Sequence, residues 1–233
     1  ATLIMAVLFF LGLRWERDMN EPRGNRWLIL IAFVIGLSFG VHFMGLLTIP
    51  AIGMIYFFKN KEVENIRQFL LYNAIAVVVL GVVFKIIIPL ILNSFGKLEI
   101  FFVNSVGLPF NTGTIFMLLL LIAAFGFGLI STRKKGLPLW NTLILSILFI
   151  LIGYSTFVTL AIRSNANTPI DENNPEDALS LLAYYNRDQY GDWPVMYGQY
   201  FNAPLDSRTP FTDGTPIYEK DEVDSFFFIL IDS

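Results

Sequence analysis

Apolar residues run in long blocks along the first two thirds of the chain, parted by short polar stretches. The longest block is the most telling. Trp27–Phe58 reads WLILIAFVIGLSFGVHFMGLLTIPAIGMIYFF, 32 residues with no formal charge and one histidine near the middle. As a single helix it would rise roughly 48 Å at ~1.5 Å per residue, well past a hydrocarbon core of ~30 Å. Gly36, Gly40, Gly45, Pro50 and Gly53 offer places to break it, and the pattern predicts the break near Gly40–Gly45. Charge on the flanks agrees. Arg14, Arg17, Arg23 and Arg26 precede the block, and Lys59, Lys61 and Arg67 follow it. The positive-inside rule puts both flanks on the cytoplasmic side, so the block reads as a membrane hairpin with His42 at its extracytoplasmic tip.

The remaining blocks extend this pattern. The opening ATLIMAVLFFLGL lacks the basic leader and small-residue cleavage site of a signal peptide, and reads as the tail of a span cut midway. Phe69–Leu92, interrupted by Lys85 and Pro89, forms the next span after the hairpin, followed by Thr114–Ile130 and Leu139–Ile162. Lys and Arg number four in 14–26, none in 40–45, three in 59–67, one in 93–113 and three in 131–138. That alternation places 14–26, 59–67 and 131–138 in the cytoplasm, and 40–45, 93–113 and the tail from Arg163 outside. The expected fold is an all-α polytopic membrane domain of about six spans, the first truncated, over residues 1–162. An extracytoplasmic, aromatic-rich acidic segment, the start of a soluble domain, is expected over 163–233.

Composition narrows the function classes. The chain is 55% apolar and 15% aromatic, with 23 Phe, which suits a multispan membrane protein. Cysteine is absent, which excludes a disulfide framework and a thiol nucleophile. One histidine argues against a zinc or di-iron centre, and no metal ligands are assigned. Residues 1–162 carry twelve Lys/Arg against six Asp/Glu, whereas 163–233 carry four against thirteen. So acidic a tail repels polyanions, and no nucleic-acid partner is expected. Tyr184, Tyr185, Tyr190, Trp193, Tyr197, Tyr200 and Phe201 are too many aromatics for simple disorder. The acidic run Glu219–Asp224 passes straight into SFFFILIDS, and the chain is expected to be a piece of a larger protein.

Polar residues at the membrane boundary are the candidates for chemistry. His42, in GVHFMG, is either a donor to a phosphate or sugar hydroxyl or a turn residue in a wet place. Lys85 either snorkels to the outer interface, the favoured reading, or faces a cavity and binds an anion. The stretch NSFGKLEIFFVNSVGLPFNTG over 93–113 holds Glu99 and reads as an amphipathic interfacial loop, with a lateral substrate groove as the sharper alternative. Arg163 ends the last span, and its guanidinium offers a bidentate fork to a lipid phosphate; the competing role is a helix-end anchor. Ser164, Asn165, Asn167, Asp171 and Glu172 form a dense polar run after it, which reads equally as a solvated linker. PEDALSLLAYY, from Pro175, has the first-turn chemistry of a helix. In Tyr184–Pro204, aromatics alternate with Asn, Asp and Gln, as in a sugar-binding surface, but composition favours packed rings or an interfacial belt.

GLSFGVHFMGLLTIPAI, FVNSVGLPFNTG and above all AIRSNANTPIDENNPEDALSLLAYYNRDQYGDWPVMYGQYFNAP resemble a family of large bacterial multispan proteins. That family is grouped with protein O-mannosyltransferase-like proteins of the GT-C glycosyltransferase superfamily, and animal transmembrane protein 260 is a relative. The resemblance runs from Ala1 to about Tyr218 and is most specific over 161–204; from about Val223 the chain departs from the family pattern, as after a truncation or a shifted reading frame. It implies transfer of a sugar from a polyprenyl-phosphate carrier to a protein or glycan acceptor on the extracytoplasmic face. A bacterial inner membrane, with the C-terminal segment in the periplasm, is the implied location. In such enzymes the essential acidic residue sits in the first extracytoplasmic loop, expected upstream of Ala1, so no catalytic residue is carried over and this piece alone is expected to be inactive. His42, Arg163, Asn165, Asp171 and Glu172 are the candidate substrate-binding residues, the membrane lipids and the lipid-linked sugar the expected ligands. No cofactor is assigned beyond that donor, and a divalent metal is left open. The alternatives are a transporter or flippase, for which intramembrane charges are sparse, and a non-catalytic envelope assembly protein.

Overall fold

A computed structural model describes residues 1–61, 65–166, 168–191, 198, 200, 202, 204, 217–220 and 228–231. The apolar blocks are helices: α1 (Thr2–Asp18), α2 (Asn25–Phe39), α3 (Thr48–Asn60), α4 (Ile66–Gly81), α5 (Ile88–Ile100), α6 (Thr112–Lys134) and α7 (Pro138–Tyr154). The short α8 (Thr159–Ser164) and α9 (Ala178–Asn186) follow, then an antiparallel pair, β1 (Ile217–Lys220) and β2 (Phe228–Ile231), with Ile217 opposite Ile231. Phe43–Asn60, Ile66–Ser105, Thr112–Lys134 and Pro138–Ser164 are long and apolar enough to cross a bilayer. Their outer faces are apolar too: Val78, Ile122, Phe127 and Leu139 are all exposed. Water would not tolerate so much bare hydrocarbon, and lipid does. The chain is an integral membrane protein with an all-α polytopic domain.

The predicted hairpin break is present. α2 stops at Phe39, and a 3₁₀ turn at Phe43–Leu47 leads into α3. Only Gly40, Val41 and His42 interrupt the two, while Gly36 and Gly53 lie inside helices. Pro50 falls in the first turn of α3, where no intrahelical N–H is required.

One expectation is corrected. Residues 93–105 are helical rather than an interfacial loop: α4, a π turn at Val82–Ile87, α5 and a second π turn at Phe101–Ser105 form one stretch of 40 residues. Leu92, Gly96, Glu99 and Val103 are buried, a spacing that lays one face of a helix against protein. Lys85 lies within the first π turn, exposed, with Nζ 5.3 Å above the Phe84 ring. Phe84 packs edge-on against Phe43 at the hairpin turn, 5.7 Å between centroids. Lys85 is thus level with the hairpin tip. Ile66 to Lys85 accounts for about 30 Å of helix, the thickness of a hydrocarbon core.

Two compact units divide the chain, Ala1–Ile91 with Leu118–Thr159, and Leu92–Met117 with Leu160–Ser233. In the first, α2 packs most extensively on α7, α1 lies against α2 and α3, and α3 lies against α4. The α6–α7 turn is closed by Asn141, whose Nδ2 donates to Leu129 O at 3.2 Å and Thr132 Oγ1 at 2.9 Å. Pro138 supplies the preset φ at the first turn of α7.

In the second unit, α9 covers α5 at Gly96, where a Cβ would come 3.1 Å from Leu179 and 3.2 Å from Leu182. The predicted helix after Pro175 is α9. Asp177 caps it, accepting from Leu179 N and Ser180 N, both at 2.9 Å, while Ser180 Oγ accepts from Asp177 N at 3.0 Å. Asp177→Ala is expected to cost about 1 kcal/mol by losing this capping box, seen as a lower melting temperature of the purified protein in detergent.

Candidate functional site

The polar run after the last span folds back on the helix it follows. Ser164, the last residue of α8, is 2% exposed, and its hydroxyl donates to Asp171 Oδ2 at 2.6 Å. The Asn174 amide is oriented with its nitrogen toward the acids, because the opposite orientation would set its oxygen against acceptors alone. So placed, it donates to Asp171 Oδ2 at 2.7 Å and reaches Ser164 Oγ at 3.0 Å and Glu176 Oε1 at 3.2 Å. Asn173 and Asn174 take positive φ, 63° and 40°, a conformation that Asn accepts at little cost. Asn165 Nδ2 donates to Ala161 O and to Glu176 O, each at 2.8 Å. A serine and two asparagines thus tie the loop to α8, and Asp171 is the acid at the centre of the knot.

This arrangement separates the candidates by what they are free to do. Asn165 and Asp171 have internal partners, and Asp171 is half-buried. Arg163 and Glu172 are exposed. Among the described residues Arg163 makes no ion pair; the pairs are Arg17–Asp18, Arg26–Asp18 and Lys59–Glu16. A guanidinium held at the end of a helix beside a stiffened loop has its whole fork available to an anion. Asn167 lies outside the described residues, as do Trp193, Tyr197 and Phe201. Tyr184 and Tyr185 are half-buried on α9, Tyr190 and Tyr200 are exposed, and burial pushes the Tyr185 phenol up.

His42 belongs to the first unit and sits exposed at the hairpin turn. Its Nδ1 accepts from Met44 N at 3.1 Å, and its own N–H donates to Ser38 O at 2.7 Å. With Nδ1 taken up as an acceptor, Nε2 is the ring nitrogen left to donate. The ring therefore caps the 3₁₀ turn with one nitrogen and presents the other outward as a donor. His42 thus fills the turn-ending role through Nδ1.

Sequence reasoning did not find the role of Glu99. It is 2% exposed, and its carboxylate accepts from the Asn111 backbone N–H, from Thr114 N at 2.7 Å and from Thr114 Oγ1 at 2.9 Å. These donors open α6, so Glu99 serves as a capping acid supplied from another helix. The signal was Asn-Thr-Gly-Thr ahead of an apolar run, a helix start that needs an acceptor. Among the described residues no group of three His, Asp or Glu stands close enough to hold a metal ion.

Residues 1–65 match the family model described as Protein O-mannosyl-transferase TMEM260 N-terminal domain. That stretch is TMEM260-like. It comprises α1, α2, the His42 turn and α3, including GLSFGVHFMGLLTIPAI, one of the segments that carried the resemblance. Arg163 and the Ser164–Asp171 knot lie beyond the TMEM260 match. No curated protein and no solved structure matches the chain.

Proposed function

We propose that the full-length protein is a membrane glycosyltransferase of the protein O-mannosyltransferase type, taking a sugar from a polyprenyl-phosphate carrier to an acceptor hydroxyl outside the cytoplasm. The TMEM260 match over residues 1–65 carries this reading. The acceptor oxygen would attack the anomeric carbon, the bond from that carbon to the carrier phosphate would break, and a carboxylate would take the hydroxyl proton. That carboxylate is the one the family places in its first extracytoplasmic loop. Arg163 would hold the departing phosphate as charge gathers there, and the outward Nε2–H of His42 is a second donor on the same side of the membrane. The host membrane in this reading is a bacterial inner membrane, with the segment after α8 in the periplasm.

Two measurements test it. Impermeant thiol reagents should label cysteines at Val41 and Ala166 from outside and leave one at Lys134 untouched. Ala166 serves better than Ser164, since Ser164 is buried. Labelling at Lys134 alone would invert the protein and remove Arg163 from the donor's side. In the full-length protein, Arg163→Lys should lose at least about tenfold in transfer rate with normal accumulation, because a point charge does not replace a bidentate fork worth ~1.5–3 kcal/mol. Wild-type transfer in Arg163→Lys would leave Arg163 an interfacial anchor.

A further inference from the structure

In the first unit a cavity of about 280 Å³ opens among the helices, walled by Ile31 and Ile35 of α2, Ile52 of α3, Ala76 of α4 and Ile150 of α7. Its wall holds an indole. Trp15 of α1 is 7% exposed, and its Nε1 donor has no hydrogen-bond partner. A buried N–H left unpaired is costly and calls for an acceptor. The ring is held in place, stacked on Tyr56 at 5.9 Å and 10°.

Next in the chain, Arg14 repeats the pattern. Its Nε is buried without a partner, and its guanidinium lies 5.1 Å above the Trp27 ring. Arg17 and Arg26 pair with Asp18 and Lys59 with Glu16, while Arg14 forms no ion pair among the described residues and acts on Asp18 only at longer range. This end of the helices holds Arg14, Arg17, Arg23, Arg26, Lys59 and Lys61 against Glu16, Asp18 and Glu21 among the described residues. The His42 turn is at the other end of α2, whose length is about 22 Å by helical rise.

We propose that this cavity is a site for one anionic glycerophospholipid, with its phosphate on Arg14, an ester carbonyl on Trp15 Nε1 and an acyl chain among the isoleucines. The order of groups along such a lipid, anion, then carbonyl acceptor, then hydrocarbon, matches a cation at Arg14, the indole next to it in α1, and the apolar cavity that this indole lines while Arg14 stays outside it. An indole at the level of the ester groups is where membrane proteins favour tryptophan. A polyprenyl phosphate offers anion and chain but no ester carbonyl, so its one phosphate would have to serve both Arg14 and Trp15 Nε1. Arg163 and His42, the residues of the proposed donor site, do not line this cavity, and the lipid site stands or falls without the transferase reading.

The test is native mass spectrometry of the delipidated full-length protein, titrated with dioleoyl phosphatidylglycerol, its ether-linked analogue, phosphatidylcholine and a polyprenyl phosphate. The wild type should retain one ester phosphatidylglycerol in preference to the other three. Arg14→Gln should weaken that binding about tenfold, the loss of one charge-assisted bond. Trp15→Phe keeps a flat ring and should erase the preference for ester over ether. Ser146→Phe, which projects into the cavity from α7, should abolish retention in protein that still elutes as a single species. Equal binding of ester and ether lipids by the wild type would overturn the carbonyl contact and with it the proposal. Displacement by polyprenyl phosphate at equal concentration would hand the cavity to the donor's chain. The comparison of lipids on the wild type needs no variant to fold.

Discussion

Gly153→Val should leave little folded protein, whereas Gly126→Val should leave the yield and melting temperature nearly unchanged. At Gly153 an added Cβ would stand 2.3 Å from Phe33 O, 2.7 Å from Leu37 N and 2.9 Å from Gly36 Cα. Across the contact, a Cβ at Gly36 would stand 2.1 Å from Ile150 O. Every one of these atoms is backbone, so no side chain can turn aside to make room. α2 and α7 would have to part along their whole contact, which includes the edge-on pair of Phe39 and Tyr154 at 5.4 Å. Overpacking a core typically costs ~1–3 kcal/mol, and a backbone clash on the most extensive helix contact of the unit should exceed about 3. In a bilayer, close approach of backbones through small residues is a main source of helix association, so the loss is not offset elsewhere. Gly126 on α6 has open space where its Cβ would be. Detergent-solubilised yield and monodispersity, compared across Gly153→Ala, Gly153→Val and Gly126→Val, check the argument. A stable Gly153→Val protein would mean that α2 and α7 are not packed this closely.

The membrane frame was legible in the sequence because its signals are local. Uncharged run length marks the spans, and flanking arginines and lysines mark their ends. Glycines in Trp27–Phe58 were read as one set of break points, and there local reasoning reached its limit. Gly40 does end α2, but Gly36, four residues earlier, is a contact surface for α7, and nothing in the run itself separates a glycine that bends a helix from one that admits a neighbour. The stretch 93–105 was misread for a related reason. Asn93, Ser94, Gly96 and Lys97 have the composition of a loop, yet Leu92, Gly96, Glu99 and Val103 repeat with the period of a buried helical face. Composition masked periodicity. In the polar run, Pro175-Glu176-Asp177 announced α9 correctly, since capping is chemistry between near neighbours. The knot of Ser164, Asp171 and Asn174 was less visible. It requires the chain to turn back through two asparagines at positive φ, and that turn is what sets Asp171 inward and leaves Arg163 outside.

Glu99→Leu should destabilise the second unit severely, and Glu99→Gln by a smaller amount. The carboxylate lies buried against the first turn of α6 and satisfies three donors: the Asn111 and Thr114 N–H groups and the Thr114 hydroxyl. Leucine matches the shape well enough but accepts nothing. The hydroxyl can turn to another acceptor, whereas the two backbone donors are fixed and would remain buried and unpaired, at ~1–3 kcal/mol each. The favourable placement of a negative charge at a helix N-terminus is lost as well. Glutamine retains one carbonyl oxygen and so answers one side of the pair, but its NH₂ faces a donor on the other. The backbones cannot adjust to a different side chain by closing up, because a Cβ at Gly113 would already stand 2.5 Å from Glu99 N and Cα. Glu99→Asp is the informative third variant. It keeps both oxygens and the charge yet is one methylene short, so a contact fixed at Gly113 cannot follow it, and it should fall between Gln and wild type. Melting temperatures in detergent should rank wild type, Asp, Gln, Leu from highest to lowest. If Leu were as stable as wild type, Glu99 would not be the acid that caps α6, and its burial would need a partner outside the described residues.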